Sequence, residues 1–408
     1  MDTPDPLRAE ALAARARGDH DRAIAAWRAL LLVRPDDWTL GLELKHDLKA
    51  ALHYPDSDAQ FRRAAQQLPD HEWLAHYAAL YAFHNGDLEA LDQRARRLAA
   101  TSPAEPKLQA ILGDVARQRR DWTGAEMAFA AAARMDPGNE EYRAKLDAAR
   151  MYRRIAAVPP GADGAMRYAV AVVNLDRNGE RREEIARQFA TCPAPLHRVA
   201  AVEGSRLPSG AVERLTGNAG APRGTLGCFL SHAAAWEAML ARGDAYCLVI
   251  EDDVVPLLEL PATLDPFGLP PDFELCFVND RLEPRLDRDA AGFRVSTLAE
   301  TMLGFHPESN APGGDGYFLS RAGAGKLLAW VGEDGFAEDV DWRLLAYGLA
   351  PSRIAALPRH GHAWAVLDRL QHLVGRAARL HACVLHPALI RTVGVSSDRE
   401  DQNRMHPG

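Results

Sequence analysis

The stretch GTLGCFLSHAAAWEAMLARGDAYCLVIEDDVVP, residues 224–256, decides how the rest of the chain is read. Phe229, Leu230, Ala233, Trp236 and Leu240 recur at helical spacing, which predicts a helix through its first half. Gly243 ends that helix, because glycine enters the left-handed backbone in which helices commonly stop. Tyr246–Ile250 is then a short apolar run rich in strand formers, the pattern of a strand buried on both faces. It closes in Glu251, Asp252 and Asp253. Open α/β sheets hold their ligands beyond the carboxyl ends of such strands. Three adjacent carboxylates repel one another, and a divalent cation relieves that cost. Oxygen donors of this kind suit Mn²⁺ or Mg²⁺, which also bridge phosphates. Taken alone, the triplet reads more readily as a solvated acidic turn than as a metal site.

Working outward, Tyr168–Leu175 reads as another buried strand, followed by Asp176-Arg-Asn-Gly and a helix to Ala190. Asn174, Leu175 and Asp176 at the strand end suit a ribose or a uracil edge, and Arg181 and Arg182 suit phosphate. The two arginines equally suit a solvated helix face. His197–Gly204 reads as a further strand closing in Glu203-Gly204, and Phe273–Asn279 as one more. Residues 282–312 are polar and irregular and predict a mobile loop over the site. Gly313-Gly-Asp-Gly-Tyr317 follows; its glycines suit a close backbone approach to a ligand, and Tyr317 offers a ring face with a hydroxyl. Glu338-Asp-Val-Asp341 is a second acidic cluster, either a helix cap or a source of a general base.

The central stretch resembles the signature of glycosyltransferase family 25, G-x-x-G-C-x-x-S-H-x-x-x-W followed by a strand and E-D-D. Cys228, Ser231, His232 and Trp236 stand at its fixed positions. Asn174-Leu-Asp-Arg177 with Arg181-Arg182 is similar to the family's first strand end. Val202-Glu-Gly204 is similar to its second, with Glu203 in place of Asp, and residues 313–326 resemble its G-T-x-G-Y-x-x-S element. The resemblance covers residues 168–398 and, with His386-Pro-Ala-Leu-Ile390 as its closing element, implies an inserted helix over Ala363–Leu385. It implies a GT-A, Rossmann-like α/β domain that moves a hexose, galactose first, from a UDP-sugar to a hydroxyl with inversion. It implies donor contacts from Asn174, Leu175, Asp176, Arg181, Arg182, Glu203, Gly204, Ser231, His232, Gly316 and Tyr317. Mn²⁺ or Mg²⁺ is expected on Glu251, Asp252 and Asp253, with a late histidine, His386 ahead of His360 and His362, completing the shell. Asp341 is the first candidate for the base and Asp339 the second. Asp315 stands where the family tends to carry a small residue.

The first 150 residues repeat. Pro35, Pro69, Pro103 and Pro137 are spaced by 34 residues, the tetratricopeptide period. Trp27, Phe61 and Phe129 recur in the units, with small residues such as Ala23, Ala64, Gly113 and Ala125 where paired helices approach. Glu140–Arg154 reads as a capping helix. The expected organisation is an α solenoid over 1–155, a linker over 156–166, and the α/β domain over 167–408. Such arrays bind a peptide or protein in their concave face, or only scaffold. Deleting residues 1–155 is expected to spare donor hydrolysis and to weaken acceptor use. The basic groups Arg94/Arg96/Arg97 and Arg117/Arg119/Arg120 read as solvated helix faces or as contacts for an acidic partner.

Composition adds exclusions. A formal net charge of −8 without a clustered basic stretch argues against a nucleic-acid partner. No apolar run approaches the roughly 20 residues of a membrane span, so membrane contact is at most peripheral. Five scattered cysteines without a C-x-x-C, and a polar, acidic start, lead to the expectation of a cytoplasmic protein with reduced thiols. The acceptor is then a saccharide of the lipopolysaccharide or capsule type, or a polypeptide read by the array. The alternative is a tetratricopeptide binding or scaffold protein whose transferase domain is degenerate.

Overall fold

The computed structural model describes residues 6–35, 37–51, 88–101, 105–157, 165–282, 292–303, 313–352 and 379–392, with a few isolated positions between 53 and 64 and at 371. Phe61, Pro69, Gly86, Pro103, His360, His362 and the expected linker positions 158–164 lie outside the described residues.

The array begins with α1 (Pro6–Ala16), α2 (His20–Val33) and α3 (Trp38–Ala50). Ala11, Ala14, Ala23 and Ala26 are buried between the helices and let them approach, and Trp27 fills the space behind them. The indole of Trp27 donates to Asp47 Oδ2 at 2.7 Å, and Arg15 and His20 bond the same fully buried carboxylate at 2.6 and 2.8 Å. Burial alone would raise the pKa of Asp47, but the bonds from Arg15, His20 and Trp27 hold it below the usual carboxylate range.

After α4 (Leu88–Thr101), α5 (Pro106–Gln118) and α6 (Trp122–Met135) form the fourth unit. Gly113 abuts the Phe129 ring: a Cβ there would lie 2.5 Å from Cε1. This is the small residue against an aromatic that the repeat pattern predicts. Asp121 caps α6 by accepting from Gly124 N–H at 2.9 Å, and Asn139 caps α7 (Glu140–Ala156). Of the basic groups expected to face solvent, Arg96 and Arg119 pair with Asp92, each at 2.6 Å. Arg117 turns inward to Asp114, where burial pushes its guanidinium down to about 10.

The α/β domain is built on a seven-stranded sheet. In chain order its elements are β1 (Tyr168–Asn174), α8 (Gly179–Gln188), β2 (Leu196–Ala200), α9 (Ser209–Thr216), α10 (Arg223–Arg242) and β3 (Tyr246–Glu251). The short β4 (Val254–Pro256), then β5 (Leu275–Phe277), β6 (Arg294–Thr297), α11 (Leu298–Leu303), β7 (Gly316–Ser320), α12 (Arg321–Asp334), α13 (Val340–Gly348), β8 (Ala382–His386) and β9 (Ile390–Thr392) complete it. The strand order is β2-β1-β3-β7-β5-β8-β6, and β4 pairs with β9 in a separate ribbon. β2, β1 and β3 run parallel; β7 runs against β3 and β5, and β6 against β8. The carboxyl ends of β1, β2, β3, β5 and β8 therefore share one edge, where β7 begins. Helices α10, α12 and α13 cover one face. The other face is covered by α8, by the 254–269 segment and by the last helices of the array.

Two expectations change here. Within the loop expected over 282–312, residues 294–303 form edge strand β6 and helix α11. Only Val295 in that strand is apolar, so no alternation announced it. The helix expected through Leu385 does not extend over Ala382–His386, which is strand β8; Ala382, Cys383 and Val384 lie beside Leu275, Cys276 and Phe277 of β5. Residues 363–370 and 372–378 lie outside the described residues. All five cysteines are free thiols.

The array does not stop short of the sheet. Trp122 and Tyr152 stack with ring centroids 4.5 Å apart. The indole N–H of Trp122 donates to Leu257 O at 3.0 Å, and the Tyr152 hydroxyl donates to Ala388 O at 2.9 Å. Phe129, Met151 and Ile155 join Val170, Ile250 and Leu389 in one apolar cluster. α6 and α7 thus pack into the core of the α/β domain, so the array and the sheet share one apolar cluster across the expected boundary at 155. Among the described residues no helix is long and apolar enough to cross a membrane.

Candidate active site

Each acid of the triplet at the end of β3 has different surroundings. Glu251 sends Oε1 toward His232 Nε2 at 3.4 Å and Cys228 Sγ at 3.9 Å. Asp252 accepts from Asn174 Nδ2 at 2.7 Å and from Arg181 at 3.2 Å, so both of its oxygens are engaged. Asp253 differs: its Oδ1 is buried and has no hydrogen-bond partner. Burial, then the neighbouring Glu251 charge, pushes the Asp253 carboxyl up to about 7, and Arg181 only partly opposes them.

Two further acids close on the same edge. Asp315, just before β7, is buried; Arg281 Nε and Asn279 Nδ2 each donate to one of its oxygens at 2.7 Å. Burial pushes its carboxyl up to about 7 against the pull of Arg281, and Glu251 and Asp341 add to the rise. Asp341, in the first turn of α13, is nearly buried, and its Oδ1 accepts from Gly314 N–H at 2.7 Å. A Cβ on Gly314 would lie 2.8 Å from that oxygen and 3.5 Å from His232 Cε1, so the glycine lets Asp341 and His232 close on one backbone segment. Asp339 is the N-cap position of α13, half-buried, and its side chain does not bond the first-turn amides.

The structure reassigns several residues expected to touch the donor. Ser231 Oγ donates to Gly227 O at 2.6 Å and accepts from Val202 N–H at 2.8 Å, pinning the 201–204 segment to α10. Gly204 is buried against the same helix, where any Cβ would overlap the Arg223 carbonyl oxygen. A Cβ on Gly316 would lie 1.7 Å from Ile390 Cδ1, so the glycine makes room for that side chain. Tyr317 is fully buried, and its hydroxyl is shared between His232 Nδ1 at 2.9 Å and Trp236 Nε1 at 2.8 Å, so its ring offers no open face. Asn174 spends its amide on Asp252 and its carbonyl oxygen on Arg198 Nε at 2.9 Å. It orients the triplet from beneath.

His386 does not join the acidic cluster. It ends β8, three strand positions from β3, a displacement of about 14 Å at the usual strand spacing. Its Nε2 bonds Ser296 Oγ at 2.9 Å, and burial pushes the imidazole down to about 4. Of the remaining positions, Glu203 pairs with Arg177 at 2.6 Å and with Arg206 at 2.8 Å. Asp176 is exposed and pairs with Arg198, Leu175 is half-buried, and Arg182 is exposed. Sequence reasoning did not single out Arg281 or Asn279. Their signal was an Asn-Asp-Arg run directly after a buried strand, the same arrangement as the triplet.

The donor set can be tested against a metal. Asp253 contributes a buried oxygen without a hydrogen-bond partner, and its raised pKa marks a carboxylate short of positive charge. With Glu251 beside it, the oxygens fit a hard divalent cation. Cys228, His232 and Glu251 form a second group whose potential ligand atoms all lie within 4.8 Å of one another.

Comparison with known proteins agrees with this geometry. Residues 168–341 match the family model "Glycosyltransferase family 25 (LPS biosynthesis protein)". Procollagen galactosyltransferase 2 of Mus musculus is 28% identical over 202 residues, 45% of this chain and 30% of that protein. Inactive glycosyltransferase 25 family member 3 of Homo sapiens is 36% identical over 97 residues, 21% of this chain and 16% of the relative. The chain thus spans less than a third of the length of these relatives. Among solved structures, MamA protein aligns with 35% of this chain and 78% of its own, at 17% identity and a TM-score of 0.27. The stretch that carries the acidic edge of the sheet, residues 168–341, is thus similar to glycosyltransferase family 25.

Proposed function

We propose that the chain transfers a hexose, galactose first, from a UDP-sugar to a hydroxyl of a polypeptide or saccharide acceptor, with inversion at the anomeric carbon. The observation that carries this reading is Asp253: a buried carboxylate oxygen without a partner, on the ligand-binding edge of an α/β sheet, beside a second carboxylate. Glu251 and Asp253 are the residues that would hold Mn²⁺ or Mg²⁺, and the ion supplies positive charge to the departing diphosphate. Asp252 is neutralised by Arg181 and held by Asn174, so it fixes the turn rather than adding charge to it.

In this reading Asp341 takes the acceptor proton. The Gly314 amide fixes one of its oxygens, which sets the direction of the carboxylate. As the acceptor oxygen bonds to the anomeric carbon, its proton passes to Asp341 and the bond to the diphosphate oxygen breaks on the opposite face. A cavity in the array favours the polypeptide form of the acceptor: about 520 Å³, it is lined by Arg28 and Leu31 of α2, Leu44 of α3, and Arg63 and Ala64 beyond α3. Calorimetric titration of UDP tests the reading. Binding with Mn²⁺ that disappears in EDTA and in Asp253→Asn supports it. Absence of binding under every condition favours a degenerate transferase domain, with the array as the functional part.

A further inference from the structure

Three polar groups lie beneath Glu251 in a row that water does not reach: Trp236 Nε1, Tyr317 Oη and His232. Trp236 and Tyr317 are 1% and 0% exposed, and His232 is 0% exposed. The indole N–H can only donate, and its partner is Tyr317 Oη at 2.8 Å. Tyr317 therefore accepts from Trp236, and its own proton needs an acceptor. His232 Nδ1, at 2.9 Å, is the acceptor within reach. Burial holds the phenol protonated, so that proton stays in place as a donor. A neutral imidazole that accepts at Nδ1 carries its single proton on Nε2. That N–H points at Glu251 Oε1, 3.4 Å away.

We infer that the Trp236–Tyr317 pair locks His232 as the Nε2–H tautomer, making it a positioning residue that holds the Glu251 carboxylate rather than a metal ligand. The inference decides between two readings of the Cys228, His232 and Glu251 group. A soft-metal centre there needs a bare Nε2, hence a proton on Nδ1. Tyr317 Oη would then accept from both Trp236 and His232, and its own proton would be stranded in a fully buried place. The locked tautomer satisfies every member of the row. It also fixes one oxygen of Glu251, while the side chain stays 31% exposed on the site's side. The role assigned to Glu251 rests on the donor-site reading above; the tautomer does not.

The test uses the full chain. Long-range ¹⁵N–¹H spectra report the histidine tautomers, with the His232 signal assigned by its loss in His232→Gln. An Nε2–H pattern unchanged by Zn²⁺ is expected; an Nδ1–H pattern, or a shift on Zn²⁺ addition, overturns the inference. Tyr317→Phe removes the lock, and the His232 signal should then leave the pure Nε2–H pattern; if it stays, the lock is wrong. For positioning, Mg²⁺-dependent UDP affinity is compared in two variants. Glutamine can accept from Tyr317 and donate to Glu251, so His232→Gln should stay within about 3-fold of wild type, while His232→Ala loses about 10-fold or more. Equal losses in both overturn the positioning role. If wild type binds no UDP, the donor-site reading falls, and the spectra still decide the tautomer.

Discussion

Asp253 gives the sharpest prediction at the scale of single residues. Its folded-state pKa, pushed up to about 7 from a usual value of 3.8, means that the metal-free native state holds a proton which the unfolded chain has lost. Stability from this group is therefore highest below about pH 4 and falls as pH rises toward 7. Metal-free Asp253→Asn should melt above wild type at pH 7.5, with the gain shrinking to nothing near pH 4, as read by scanning fluorimetry. An equal or lower melting temperature at pH 7.5 would show the carboxyl is not strained. Asp341→Asn should keep UDP binding and lose about 100-fold or more in turnover. Loss of UDP binding would place Asp341 in the donor pocket instead. The types of these residues were legible in the sequence, because three acids after an apolar run have few uses. Their division of labour was not. Ser231, Tyr317 and His232 stand at signature positions, but their partners are Val202, Trp236 and Glu251, and the longest of these separations, Trp236 to Tyr317, spans 81 residues.

At the scale of elements, the helix–strand unit α10–β3 follows from its own residues. Helical spacing gave way to a continuous apolar run, and the structure has the break at Gly243, whose φ is 79°. The 34-residue period likewise named its own contact, the Gly113–Phe129 pair, because the spacing forces a small residue beneath a ring. Edge strand β6 went unread because four residues with one apolar member carry no period. Asp47 also went unread: nothing local marks a carboxylate that gathers Arg15, His20 and Trp27 from two other helices. Gly204 tests the close crossing of the 201–204 segment over α10. The neighbour that a Cβ would meet is backbone, which cannot swing aside. Gly204→Ala should therefore cost about 3 kcal/mol, several degrees in melting temperature. A change within 1 degree, measured by differential scanning calorimetry, would mean the loop has room to lift.

For the whole molecule, the boundary that matters is not the one the repeat period suggests. A cut at residue 155 removes Trp122, Phe129, Tyr152 and Ile155 from the larger core and uncovers Val170, Ile250 and Leu389. The chain lacking residues 1–155 should be insoluble or molten, whereas the chain lacking 1–104 should keep a cooperative melt and UDP binding. Both are checked by near-ultraviolet circular dichroism and calorimetry. A well-folded 156–408 fragment would show that the aromatic stack is dispensable. Sequence separates the array from the sheet because each has its own period, and a period says nothing about the residues where two patterns meet. The two hydrogen bonds from Trp122 and Tyr152 end on Leu257 and Ala388, and the first of these lies four positions beyond Asp253. Their consequence is one of inheritance. A repeat array from another protein cannot be grafted here by matching its length, because the replacement must bring both rings. The last unit of the array and the acidic turn can therefore only change together.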